Sequence, residues 1–169
     1  IMQTKWTERR FNFDFPVGMM PVIIERLRGT HSRIEACTAG LSRENLIARV
    51  AEKWSIQEQI GHLIDVDELH DGRIDDFLAR KLELRAADMT NVKTNSAGHN
   101  GRDIRELINE FRKRRLKFIS RVEELGDVDA ERISLHPRLR QSMRLVDMLY
   151  FVAEHDDHHI ALICNNIRI

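Results

Sequence analysis

His155 and His159 lie four residues apart in a segment that reads as helix. Four residues is about one helical turn, so both imidazoles project from one face, close enough to hold a single metal ion between them. The stripe they occupy is otherwise apolar: alternating steps of three and four residues give Leu145, Met148, Val152, His155, His159 and Leu162. Such a stripe is the face a bundle helix turns toward its core. A lone histidine there is ordinarily a core residue with hydrogen-bonded ring nitrogens. Two in register each need a partner, and one metal ion satisfies both; a buried hydrogen-bonded pair is the alternative. HxxxH by itself does not decide between them.

His62 is the third candidate, at the border of an apolar face that carries Val66 and Leu69. Alone it reads as a boundary histidine. Beside His155 and His159 it becomes a ligand from a neighbouring helix, which is how bundle metal sites are assembled. Three neutral imidazoles leave one coordination position open to water or substrate, the catalytic arrangement rather than the structural one. The donor set suits one divalent transition metal, zinc or nickel first, with iron, cobalt or manganese as further options. Calcium and magnesium would ask for oxygen ligands.

Helices must position these groups. Only three prolines interrupt the chain, and no pair of alternating apolar runs is joined by a recognisable hairpin turn. A first helical region is predicted over 16–39, with Gly29-Thr30 placed to kink or restart it, and a short turn over 42–48. A second begins at Ser55, where Ser55 and Glu58 form a capping box and Trp54 can staple the entry, and runs to about Arg80. After a polar loop over 91–102, a third spans about 103–125 and a fourth begins near Met143; a turn is predicted over 127–133, and 135–138 reads as loop. Four amphipathic helices of roughly 20 residues describe an all-α four-helix bundle. The arm Phe11–Phe15 alternates like a strand and is expected to cover one end of the bundle.

Each stripe also carries polar residues near its middle: Asp67 and His70 on the second helix, Arg115 between Phe111 and Phe118 on the third. His31 falls between Leu27 and Ile34, with an edge position near the Gly29 break expected for it. Buried charges demand partners, so this common level is either an ion-pair network, with Asp67–Arg115 as its centre, or part of a site.

The balance of 27 basic and 27 acidic residues offers no net field to attract nucleic acid or an anionic membrane. No apolar run is long enough to span a bilayer, and the start of the chain lacks a basic-then-apolar signal pattern. Cys37 and Cys164 have no CxxC spacing and read as reduced thiols, with a bridge left open; the expected location is cytoplasmic. The run Arg112-Lys113-Arg114-Arg115 fans around a helix axis among glutamates and reads as a solvated face.

With these residues in view, the chain resembles the DinB superfamily of metal-binding four-helix bundles, in particular its YfiT-like branch of bacillithiol transferases and metal-dependent hydrolases. Phe15-Pro16-Val17-Gly18 is similar to the N-terminal aromatic-Pro-Ile-Gly stretch. Trp54-Ser55-Ile56-Gln57-Glu58, leading to His62-Leu63, resembles the second-helix motif. His136-Pro137 and the closing His155-Asp156-Asp157-His158-His159 match as well. The resemblance implies His62, His155 and His159 as metal ligands, an up-down-down-up helix order and a homodimer, with His158 beside the site. It divides the chain into an arm, 1–15, and a single bundle domain, 16–169.

The activity expected is a divalent-metal-dependent reaction on a small molecule. In one form a low-molecular-weight thiol ionises at the metal and attacks an electrophile; in the other the metal activates water for hydrolysis. Asp67, His70 and Glu154 are the candidate proton acceptors. A metal-containing stress-response protein without catalysis is the remaining class. A pocket at the metal, with room beyond one water, would argue for the enzyme.

Overall fold

The computed structural model describes residues 2–167. Its first helical region is two helices, α1 (Met20–Arg28) and α2 (Thr30–Thr38), meeting at Gly29. A short α3 (Arg43–Ile47) follows, capped by the Ser42 hydroxyl. α4 (Ile56–Leu78) opens on the expected capping box: the Glu58 N–H donates to the Ser55 hydroxyl, and the Ser55 N–H donates to the Glu58 carboxylate. A brief α5 (Val92–Ser96) interrupts the region read as loop. α6 (Ile104–Glu123) is capped by Asp103, and α7 (Asp127–Ala130) is one turn. α8 (Leu145–Ile167) carries the paired histidines. Among the described residues no helix is long and apolar enough to cross a membrane.

The core comes in two apolar halves. One gathers Leu27, Ile74, Phe77, Phe118, Val122 and Val152; the other gathers Ile34, Ile60, Leu63, Leu107, Phe111 and Ile163. Between them lies the polar level. The Arg115 guanidinium, fully buried, donates to Asp67 Oδ1 at 2.9 Å and to both carboxylate oxygens of Asp156. The Thr30 hydroxyl donates to Asp156 at 2.7 Å. The expected Asp67–Arg115 pair is therefore present, with Asp156 as a second carboxylate that the sequence reading did not include. Thr30 takes the inward position, and His31 lies half-buried beside it.

Two expectations need correction. Residues 135–138 are not simply loop: β1 (Ile133–His136) pairs antiparallel with β2 (Gln141–Arg144), Ile133 opposite Arg144 and His136 opposite Gln141. The connection is four residues with Arg140 at φ 52°. It lacks the Asn-Gly or Asp-Gly signature of a two-residue turn, which is why the hairpin was not legible. As a result α8 begins at Leu145 rather than near Met143. The alternating arm also forms no strand. Its carbonyls are taken by side chains instead: Arg144 donates to those of Phe13 and Phe15, and Gln141 to that of Phe11. Phe13 and Phe15 pack on the first core half, so the arm does cover the bundle.

Cys37 of α2 and Cys164 of α8, distant in sequence, stand with their sulfurs 2.9 Å apart.

Candidate metal centre

α4 and α8 lie against one another, and at their contact His62, His155 and His159 converge. One ring nitrogen from each lies within 4.8 Å of the other two, and all three side chains are buried. The Nε2 atoms of His155 and His159 are 3.1 Å apart. Two imidazole nitrogens on a tetrahedral zinc at about 2.0–2.1 Å stand roughly 3.3 Å apart, so this spacing is compatible with a shared ion as well as with a hydrogen bond between the two rings.

Hydrogen bonds set the tautomers. The Thr94 hydroxyl gives its one proton to Asp65 Oδ2 at 2.9 Å, so it accepts from His62 Nδ1–H at 3.2 Å. Asp65 is held in turn by His99 Nε2 at 2.8 Å. His159 Nδ1–H donates to Gln59 Oε1 at 2.6 Å. Both Nε2 atoms are then left as lone pairs in a buried site, and no hydrogen bond among the described residues reaches His155 Nδ1. If His155 carries its proton on Nε2, that atom can donate to His159 but not also to His62. With the proton of His155 on Nδ1 instead, a cation would meet three Nε2 lone pairs together.

Protonation agrees. Burial pushes His62 down to about 4. Burial first, then the neighbouring imidazoles, hold His155 and His159 well below the ordinary histidine value. All three are neutral at pH 7, the state a metal requires. The residues present fit a divalent transition metal.

A cavity of about 850 Å³ opens at these histidines. Its walls include Trp6, Trp54, His70, His136 and Phe151. Trp54 lies over His62 with ring centroids 4.8 Å apart, and Trp6 meets His155 edge-on at 5.0 Å. Trp6 was not anticipated: an indole on the arm gives no periodic signal, and only docking of the arm brings it here.

Of the candidate proton acceptors, only His70 lines the cavity, its ring centroid 5.9 Å from that of His155. Asp67 is committed to Arg115, and its Oδ1 is 3.8 Å from His70 Nδ1. Glu154 does not reach the cavity lining; it is ion-paired with Arg9 and Arg26. His158, as expected, stands beside the site: Gln3 Nε2 is 2.9 Å from its Nδ1.

A packing detail explains a glycine inside α4. A Cβ at Gly61 would stand 2.2 Å from the His99 ring. The absence of a side chain there lets His99 reach Asp65, and through Asp65 and Thr94 it braces His62.

The sequence profile of the DinB superfamily matches residues 26–163, four-fifths of the chain. The chain belongs to the DinB superfamily. It is also similar to the solved structure of YfiT from Bacillus subtilis, described as a probable metal-dependent hydrolase with an unusual four-helix bundle topology. The two share 16% identity over 95% of this chain and 93% of YfiT, with a TM-score of 0.82. At that identity the likeness establishes the fold alone, a four-helix bundle like that of YfiT. No curated protein matches the chain.

Proposed function

We propose that this DinB-superfamily chain is a divalent-metal-dependent enzyme acting on a small molecule, with His62, His155 and His159 holding the ion. One observation carries the reading: three buried imidazoles, two with Nε2 lone pairs fixed by Gln59 and Thr94, converge on the wall of a cavity far larger than one water. A closed structural site would have no use for that space. Zinc or nickel suits the all-imidazole set best.

The reaction favoured is transfer of a low-molecular-weight thiol to an electrophile. A divalent ion held by the three histidines would supply Lewis acidity that lowers the pKa of a thiol or water presented to it. The chain's own groups do the rest. Trp6, Trp54 and Phe151 give the cavity apolar walls beside the histidines. His70, held neutral chiefly by its burial, is assigned to accept the proton released. The carboxylates of the cavity wall are engaged elsewhere: Asp65 by His99 and Thr94, Glu68 by Lys93, Asp88 by Thr90 and Val92. That leaves His70 as the group assigned to the proton in either reaction, and the thiol is preferred on the resemblance of the histidine motifs to those of the bacillithiol transferases. The likeness to YfiT, described as a probable hydrolase, supports water in the same place as the second reading.

Both readings are tested on protein stripped with chelator and reloaded with zinc or nickel. Consumption of a thiol with an alkylating electrophile is followed beside hydrolysis of ester and amide panels, for wild type and His159→Ala. Metal-dependent thiol consumption lost in His159→Ala supports transfer. Metal-dependent hydrolysis alone supports the second reading, and neither activity in metal-loaded protein removes the enzyme.

A further inference from the structure

Beside His70, the cavity wall gathers two guanidinium groups that make no ion pair among the described residues. Arg73, on α4, is only 2% exposed. Its Nε donates to the Arg85 carbonyl at 3.1 Å, and it makes no ion pair among the described residues. Arg138, on the hairpin connection, likewise has no carboxylate partner there, and its buried Nη2 has no hydrogen-bond acceptor. The cavity's other cations are provided for: Arg85 pairs with Asp76, and Lys93 with Glu68.

His136, at the end of β1, adds a third donor. The Leu139 backbone N–H lies 3.2 Å from its Nδ1 and can only donate, so Nδ1 carries the lone pair and Nε2 the proton. That Nε2–H is buried with no acceptor. Burial first, then Arg73 and Arg138, pushes His136 down to about 3, so it stays a neutral donor. Burial and the charges of Arg138 and Arg85 bring Arg73 down to about 10, still cationic at pH 7, with Asp76 offsetting part of the effect. Two guanidinium groups without an ion-paired carboxylate and an imidazole N–H without an acceptor, lining one cavity, are costly to bury unless something anionic enters.

We propose that Arg73, Arg138 and His136 form an oxyanion-binding subsite, holding a carboxylate or phosphate group of the molecule that occupies the cavity. The forked donors of arginine match either group bidentately. The inference rests on the reading of this cavity as the substrate site, and it names the substrate class as anionic. His70 and His155 line the same cavity as these three groups.

The test is direct binding of inorganic phosphate and of succinate to chelator-stripped protein by calorimetry, for wild type, Arg73→Met, Arg138→Met and His159→Ala. Wild type and His159→Ala are expected to bind at least one anion equally well, since the metal ligands take no part. Each arginine variant is expected to bind about 10–100-fold more weakly. Binding of phosphate alone or of succinate alone identifies the group. Arg73→Met also removes an unpaired buried charge, so its thermal midpoint in anion-free buffer is expected to rise rather than fall. No binding to wild type, or undiminished binding in both arginine variants, overturns the subsite. Anion binding without metal-dependent turnover would remove the enzyme reading and leave the subsite standing; turnover without anion binding would do the reverse.

Discussion

The carboxamide oxygen of Gln59 lies 2.6 Å from Nδ1 of His159, so a residue of α4 fixes the tautomer of a histidine on α8. The contact ties the two helices together at the point where the lone pairs converge. Gln59→Ala is expected to fold and to lose about 10–100-fold in metal affinity, the usual effect of removing an outer partner of a ligating histidine. Competition against a zinc-binding dye measures it. Unchanged affinity would mean that Gln59 does not orient His159.

Ligand substitutions should separate cleanly. His155→Ala and His159→Ala are expected to abolish tight binding, and His158→Ala to keep most of it, because His158 faces Gln3 at the edge of the site. Elemental analysis of untagged protein reads the stoichiometry, with about one metal per chain expected from a single three-histidine site. Loss of metal in His158→Ala but not in His155→Ala would reverse the ligand register.

The Asp67–Arg115–Asp156 cluster should be a matter of stability. Arg115→Met leaves two buried carboxylates facing each other without a cation, and breaking a buried ion pair in this way costs about 3–5 kcal/mol. Urea unfolding gives the value, with the metal content of the folded fraction expected to be unchanged. A destabilisation below about 1 kcal/mol, the scale of exposed pairs, would show that water already reaches the cluster.

Acid should weaken the metal-free fold. The unfolded chain takes up histidine protons near pH 6.5, whereas His62 resists until about 4 and His136 until about 3, both chiefly through burial. Between those values the unfolded state binds more protons, so stability falls as pH drops. For His62 alone the difference is about 3 kcal/mol at pH 4. Asp67 adds a lower window: burial raises its carboxyl, Arg115 and His70 more than offset that, and the net shift is downward. Its contribution is present above the ordinary aspartate value and is lost as pH falls through the depressed one. A urea midpoint unchanged between about pH 7 and pH 4.5 would show that the imidazoles are not held neutral.

Gly61→Ala offers a packing test. The added methyl meets the His99 ring, and an overpacked core position costs about 1–3 kcal/mol. Gly18→Ala, with open space around it, is the control and is expected to change little. Equal stability of the two variants would mean that His99 can leave Asp65 without penalty.

The amino-acid sequence by itself determined the four main helical regions, the capping box at Ser55, the polar level through Asp67 and Arg115, and the placement of His155 and His159 on one face. Each of these follows from local periodicity or from one short motif, which a chain carries wherever it folds. The tertiary structure alone decided the rest. Asp156 joined Arg115 because two helices brought them together, not because of its spacing. Trp6 reached His155 through docking of an aperiodic arm, and Glu154 went to Arg9 and Arg26 instead of the cavity. The hairpin that aims His136 was hidden by a four-residue connection without a turn signature. That Arg73 and Arg138 make no ion pair among the described residues could not be read from a chain whose basic and acidic residues balance. Pairing of charges is a property of distance in the fold, and sequence spacing does not carry it across elements.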